Sequence, residues 1–179
     1  MPDAFDTLGL PARFDLTPAQ IQRAYLARTA RLHPDAGAGG DGEEDAAEVA
    51  RRSAELNGAR AAIEHLETRA NLLLARLGGP SKEADRALPA GFLMEIMETR
   101  EQVEAARASG DAAELERWRA WARDERARYA AEAGRLLDAG NSPENLAGVR
   151  RHLNAWRYIE RLIEQLDPEY DPARADFGR

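Results

Sequence analysis

Nowhere in this chain do β-branched residues alternate with polar ones, and that absence constrains the fold before anything else does. A half-buried strand needs that period of two. Alanine, leucine, glutamate and arginine dominate instead, and all four favour helix, so the expected fold class is all-α. Breaks between helices come from glycine and proline. In Ala36-Gly37-Ala38-Gly39-Gly40-Asp41-Gly42, four of seven residues are glycine, which no regular element tolerates. No strand precedes this stretch and no Gly-Lys-Ser/Thr follows, so a phosphate-cradling loop is excluded and a connector is expected. Residues 78–89 hold Gly78-Gly79-Pro80 and Pro89 and separate two differently patterned helical regions. The expected organisation is residues 1–78, a linker at 79–89, a helical bundle at 90–168, and a loosely ordered tail at 169–179.

Helix starts are written in local chemistry. Phe5, Leu8 and Leu10 form a short apolar turn closed by Gly9 and Pro11. Thr17-Pro18 then reads as an N-cap followed by proline at the first helical position. That helix is predicted to run to about Leu32, with Ile21, Tyr25 and Leu32 on one face. Residues 16–32 carry Arg23, Arg28 and Arg31 and no acid, an inversion of the chain's overall charge. Glu43-Glu44-Asp45 suits a helix N-terminus, and Val49, Leu56, Ala59 and Ile63 continue that helix towards His65. A short apolar run, Leu72-Leu73-Leu74-Ala75-Arg76-Leu77, follows. Beyond the linker come three long helical runs. The first ends at Ser109-Gly110, the second opens at Asp111-Ala112-Ala113-Glu114 in the pattern of a capping box, and the third opens at Ser142-Pro143-Glu144. Short turns between them predict an antiparallel three-helix bundle.

Composition removes whole classes of function. A net charge of −7 disfavours a general nucleic-acid binder. With no cysteine, disulfides, thiolate catalysis and Cys-ligated metals are excluded. The start, Met1-Pro2-Asp3-Ala4-Phe5-Asp6, lacks the pattern of a signal peptide, and no stretch approaches about 18 consecutive apolar residues; a soluble, cytoplasmic protein is expected. His65 and His152 stand apart from each other and from acids at ligand spacing, so no metal or cofactor is expected. Trp118, Trp121 and Trp156 read as bundle core or its edge. No nucleophile–base pair or paired carboxylates can be assembled, so no catalytic residue and no enzyme is predicted.

The helix after the linker has one apolar face too many. At 100° per residue, Phe92, Ile96, Thr99 and Val103 fall within roughly 60° of one another, a normal core stripe. Leu93, Met94 and Met97 lie on nearly the opposite side, flanked by Glu98, Glu101 and Glu104. Either this second face packs on the N-terminal domain or the tail, or it is an exposed binding patch with adaptable methionines and acids that set partner charge.

The motif that gives these parts a common purpose is Leu32-His33-Pro34-Asp35, set between the basic helix and the glycine-rich stretch. His-Pro-Asp in that position resembles the contact tripeptide of a J-domain, the module that stimulates ATP hydrolysis by DnaK-type chaperones. Further residues narrow the likeness. Phe5-Asp6-Thr7-Leu8-Gly9-Leu10-Pro11-Ala12-Arg13-Phe14, Asn57 with Ala59, Thr68-Arg69-Ala70, Leu73-Leu74, Phe92-Leu93-Met94-Glu95 and Arg100-Glu101 are similar, in order, to the HscB family of iron–sulfur cluster co-chaperones. The resemblance spans residues 4–166. It implies an N-terminal J-domain and a C-terminal scaffold-binding bundle. It further implies that His33, Pro34, Asp35, Arg23 and Arg31 dock on an HscA/DnaK-type chaperone. Leu93, Met94, Met97, Glu98, Glu101 and Tyr158 would then bind an IscU-type scaffold protein. No nucleic-acid or membrane partner is implied.

This sequence departs from the family pattern in five places. Ala36 follows His-Pro-Asp where a basic residue is usual, Arg28 replaces a core leucine, and Arg60 replaces an aromatic. Leu66 replaces a proline and Ala105 an acid. Arg28 and Arg60 must therefore snorkel from the core edge or pair with acids. Two other readings stand beside this one: a J-domain adaptor for a different client, and a structural helical protein with an accidental His-Pro-Asp.

Overall fold

A computed structural model describes residues 3–32, 46–172 and 176; His33, Pro34, Asp35 and Ala36 lie outside the described residues. Among the described residues the chain forms seven helices and no strand, in the order α1 (Ala4–Leu8), α2 (Pro18–Ala30), α3 (Ala46–Glu64), α4 (Leu66–Arg76), α5 (Phe92–Ser109), α6 (Ala112–Asp138) and α7 (Pro143–Leu166). The expected all-α class is what the chain adopts. It divides into two compact units, Met1–Arg69 with Ala173–Arg179, and Ala70–Pro172. The division falls within α4, between Arg69 and Ala70.

In the first unit the opening apolar turn is a short helix. Its start is closed reciprocally: the Asp6 amide donates to Asp3 Oδ1 at 3.0 Å and the Asp3 amide to Asp6 Oδ2 at 3.3 Å. It ends at Gly9, whose φ of 68° few other residues adopt without strain. Thr17 caps α2 as expected, and Gln20 completes a capping box with it. Phe5, Leu8, Leu16, Ile21, Leu56, Ala59 and Ile63 are buried, while Tyr25 and Leu32 are half-buried. The Tyr25 hydroxyl donates to Asn57 Oδ1 at 2.7 Å and links α2 to α3.

Both unusual arginines find partners. Arg60 pairs with Glu64 at 2.9 Å and lies over the Tyr25 ring at 4.8 Å, so the cation takes the place of an aromatic against an aromatic. Among the described residues Arg28 reaches no acid. Its guanidinium covers Gly9, where an added Cβ would meet Nη2 at 2.2 Å. Its Nε donates to the Leu8 carbonyl at 3.4 Å. A cation at the C-terminal carbonyls of α1 is favourably placed against the helix dipole.

Arg69 is almost fully buried and binds three backbone carbonyls in two segments. Its Nε donates to the Ile63 carbonyl at 2.7 Å, and its Nη1 to those of Phe14 and Leu16 at 2.7 and 3.1 Å. The Leu66 amide, which a proline would lack, donates to Asp176 Oδ2 at 2.8 Å.

In the second unit, α5, α6 and α7 form the expected bundle. Asp111 accepts from the Glu114 amide at 3.0 Å, whereas its own amide donates to Ser109 Oγ at 3.4 Å rather than back to Glu114. Ser142 caps α7 with Pro143 in its first turn. The predicted stripe Leu146, Val149, Leu153, Trp156 and Ile163 is buried throughout. Gly148 permits close approach of α6, since a methyl there would stand 3.2 Å from Leu136 Cδ1. Trp156 is fully buried, while Trp118 and Trp121 meet edge to face at 5.8 Å and stay half-buried.

The bundle also buries a carboxylate. Glu160 is 2% exposed. Its Oε1 accepts from Arg126 Nε at 2.7 Å and Trp156 Nε1 at 2.8 Å, and its Oε2 from the Tyr170 hydroxyl at 2.6 Å. Arg126 is itself buried. A buried ion pair persists only when its remaining hydrogen-bonding capacity is satisfied, and Trp156 and Tyr170 are the two further donors to the carboxylate here. Tyr170 is thereby tied back to α7.

Candidate protein-docking surfaces

The first candidate surface belongs to α2. Arg23 and Arg31 are both exposed. Leu26, which the sequence pattern does not single out, is also exposed, at 53%. This leucine stands one turn from Arg23, an exposed apolar side chain beside an exposed cation.

The second surface belongs to α5 and starts from what the helix buries. Phe92 packs edge to face with Tyr129 of α6 at 5.8 Å and an interplanar angle of 89°. It packs in the same way with Tyr158 of α7, at 5.8 Å and 74°. Ile96, Thr99 and Val103 continue the buried stripe down the helix. With that stripe inside, the helical period turns Leu93, Met94 and Met97 outward, and they are 53%, 68% and 57% exposed. The second apolar face is open to solvent. Together with Pro89, Gly91, Glu98 and Glu101 it lines a shallow groove.

Exposed apolar area concentrated on two turns of one helix, with carboxylates along its edge, is suited to protein binding rather than to chemistry. Glu98 and Glu101 are exposed, and Glu104 is engaged with Arg107 at 3.4 Å. Tyr158 is half-buried, with its ring against Phe92, so it supports the same turn of α5 that carries Leu93 and Met94.

Several residues that shape this surface are not evident from sequence. Asn154 of α7 donates from Nδ2 to the carbonyls of Asp85 and Ala87, at 3.1 and 2.9 Å. Arg150 donates to Asn71 Oδ1 at 2.9 Å. Through Asn154 the segment leading to Pro89 and Gly91 is pinned to α7, which fixes the rim of the groove. Tyr129 is buried below Phe92, and desolvation pushes its phenol pKa up. Arg128, 4.7 Å over its ring, opposes that shift. His152 engages the Gly148 carbonyl through Nδ1 at 2.8 Å and lies 6.0 Å from the Tyr129 ring. Among the described residues no three His, Asp or Glu side chains converge as a metal site. None of the described helices is long and apolar enough to cross a membrane.

Residues 88–167 match the family model of the HSCB C-terminal oligomerisation domain. The HscB co-chaperone homologue of Bordetella parapertussis is 32% identical over 165 residues, covering 92% of this chain and 94% of that protein. The homologue of Burkholderia mallei is 32% identical over 170 residues, covering 93% of each. Among solved structures, HscB from Vibrio cholerae matches with a TM-score of 0.71 and 25% identity, over 93% of this chain and 96% of that one. Human HscB matches in fold with a TM-score of 0.77 at 17% identity, over 94% and 82%. With relatives above 30% identity along nearly its whole length, the chain belongs to the HscB family of co-chaperones.

Proposed function

We propose that this co-chaperone stimulates ATP hydrolysis by an HscA/DnaK-type chaperone and delivers an IscU-type iron–sulfur scaffold protein to it. The observation that carries this reading is the exposed Leu93, Met94 and Met97 face, with Glu98 and Glu101 beside it, in a chain of the HscB family. His33, Pro34 and Asp35, with Arg23 and Arg31 of α2, would dock on the chaperone. Pro34 restricts the backbone between His33 and Asp35, and the arginines complement an acidic groove. Leu93, Met94, Met97, Glu98, Glu101 and Tyr158 would hold the scaffold. All of these residues act by binding, with the ATPase chemistry in the partner, and the cytoplasm is the proposed location.

The test is a steady-state ATPase assay of the cognate chaperone with this protein, with the scaffold, and with both. Synergy is expected. Asp35→Asn should abolish stimulation while scaffold binding persists. Leu93→Ala combined with Met97→Ala should weaken scaffold binding and leave scaffold-independent stimulation intact. Full stimulation by the Asp35→Asn variant would overturn the chaperone assignment, and unchanged scaffold affinity in the double variant would overturn the docking face.

A further inference from the structure

We propose that Met94 and Met97 form a reversible oxidation site through which peroxides switch the α5 docking face off. The switching role rests on the scaffold-docking reading above; the modification site itself does not. The chain's sulfur inventory is unusual: three methionines and no cysteine. Apart from Met1, all of its sulfur therefore lies three residues apart on α5. That spacing places the two side chains on neighbouring turns of one face. Both are more than half exposed and both line the groove, while Ile96 and Phe92 beneath them are 2% and 4% exposed. An oxidant thus reaches both thioethers without opening the bundle, and no thiol elsewhere in the chain competes for it.

The chemistry balances with hydrogen peroxide as the oxidant. The thioether sulfur attacks one peroxide oxygen, an S–O bond forms and the O–O bond breaks. Sulfur loses two electrons, and the transferred oxygen gives its proton to the departing hydroxide, which leaves as water. The product, methionine sulfoxide, is polar, and it is returned to methionine by the two sulfoxide reductases, one for each epimer. A sulfoxide in an apolar groove must be desolvated when a partner covers it. The resulting loss of affinity is on the order of tenfold or more per site. Because the groove is built from these side chains, oxidation alters the contact directly rather than through unfolding.

The experiment treats the full chain with graded hydrogen peroxide and digests it with trypsin. Residues 87–100 fall in one peptide that carries both methionines. Mass spectrometry should show this peptide gaining one and then two oxygens before any tryptophan-containing peptide is modified. In parallel, calorimetric titration with an IscU-type scaffold should show affinity falling at least about tenfold on oxidation and recovering after treatment with both reductases. The Met94→Leu, Met97→Leu double variant, whatever its starting affinity, should bind equally before and after peroxide. An unmodified 87–100 peptide, or an oxidised chain that binds like the untreated one, overturns the proposal. If the untreated chain fails to bind the scaffold, the docking reading falls and the switch with it, and the peptide masses alone then decide the modification site.

Discussion

Replacing Glu160 with glutamine separates the charge of the buried network from its hydrogen bonds. In the native chain Oε1 serves both Arg126 Nε and Trp156 Nε1, and Oε2 serves the Tyr170 hydroxyl. A glutamine can keep its carbonyl oxygen towards Arg126 and Trp156 and donate from its amide to the Tyr170 oxygen. What it loses is the carboxylate facing a buried guanidinium 2.7 Å away. The expected cost is about 1.5–3 kcal/mol, the worth of a charge-assisted bond. Leucine at the same position removes the acceptors as well and should cost about 3–5 kcal/mol. In a chain of this length those losses lower Tm by roughly 3–12 °C for Glu160→Gln and 6–20 °C for Glu160→Leu. Scanning calorimetry gives the shifts, and tryptophan fluorescence reports the loss of the Trp156 contact. A second substitution, Arg126→Met on the Glu160→Leu background, should recover much of the stability, because it removes the uncompensated cation. A Glu160→Leu chain within about 1 kcal/mol of the native one would refute the idea that this network holds the bundle.

Three further outcomes follow from single contacts. Asn154→Ala removes both bonds to the Asp85 and Ala87 carbonyls, so trypsin should cleave after Arg86 markedly faster, at a cost in stability of about 1–3 kcal/mol; an unchanged cleavage rate would show that the rim is held by other means. Arg28→Ala should destabilise the first unit by roughly 1 kcal/mol, and Arg28→Lys should restore part of that in urea unfolding, since a cation would again face the end of α1. Tyr129 gives an alkaline signature. Its phenol pKa is raised by burial, so the unfolded chain ionises first, binds fewer protons than the folded one, and stability falls as pH rises past about 10. Tyr129→Phe should flatten that part of the stability–pH profile, and a native profile already flat there would contradict the assignment.

Local chemistry was readable from the residues and distant chemistry was not. Thr17 and Ser142 cap their helices because a cap bonds two or three residues away. The two faces of α5 were likewise legible, since a period of 100° per residue separates Phe92, Ile96, Thr99 and Val103 from Leu93, Met94 and Met97 without reference to any other helix. Asn154 could not be read this way: its carbonyl partners lie 67 and 69 residues earlier. Glu160 looks like one more acid in a charged helix until Arg126, 34 residues away, is brought against it. Arg28 was half legible. An arginine at a core edge needs a partner, but the partner is the Leu8 carbonyl at the end of α1 rather than an acid, and a five-residue helix is too short to announce its end by periodicity.

A helix that is apolar on opposite sides could roll by half a turn and still satisfy the hydrophobic effect. Burying Leu93, Met94 and Met97 would cover an area much like that of Phe92, Ile96 and Val103. The ring of Phe92, held edge-on between Tyr129 and Tyr158, supplies the asymmetry, because no methionine or leucine on the other side offers the same aromatic geometry. These three rings therefore act as a key that fixes which side of α5 faces solvent. A substitution among them could leave a folded, helical and stable bundle that presents the wrong side of the helix.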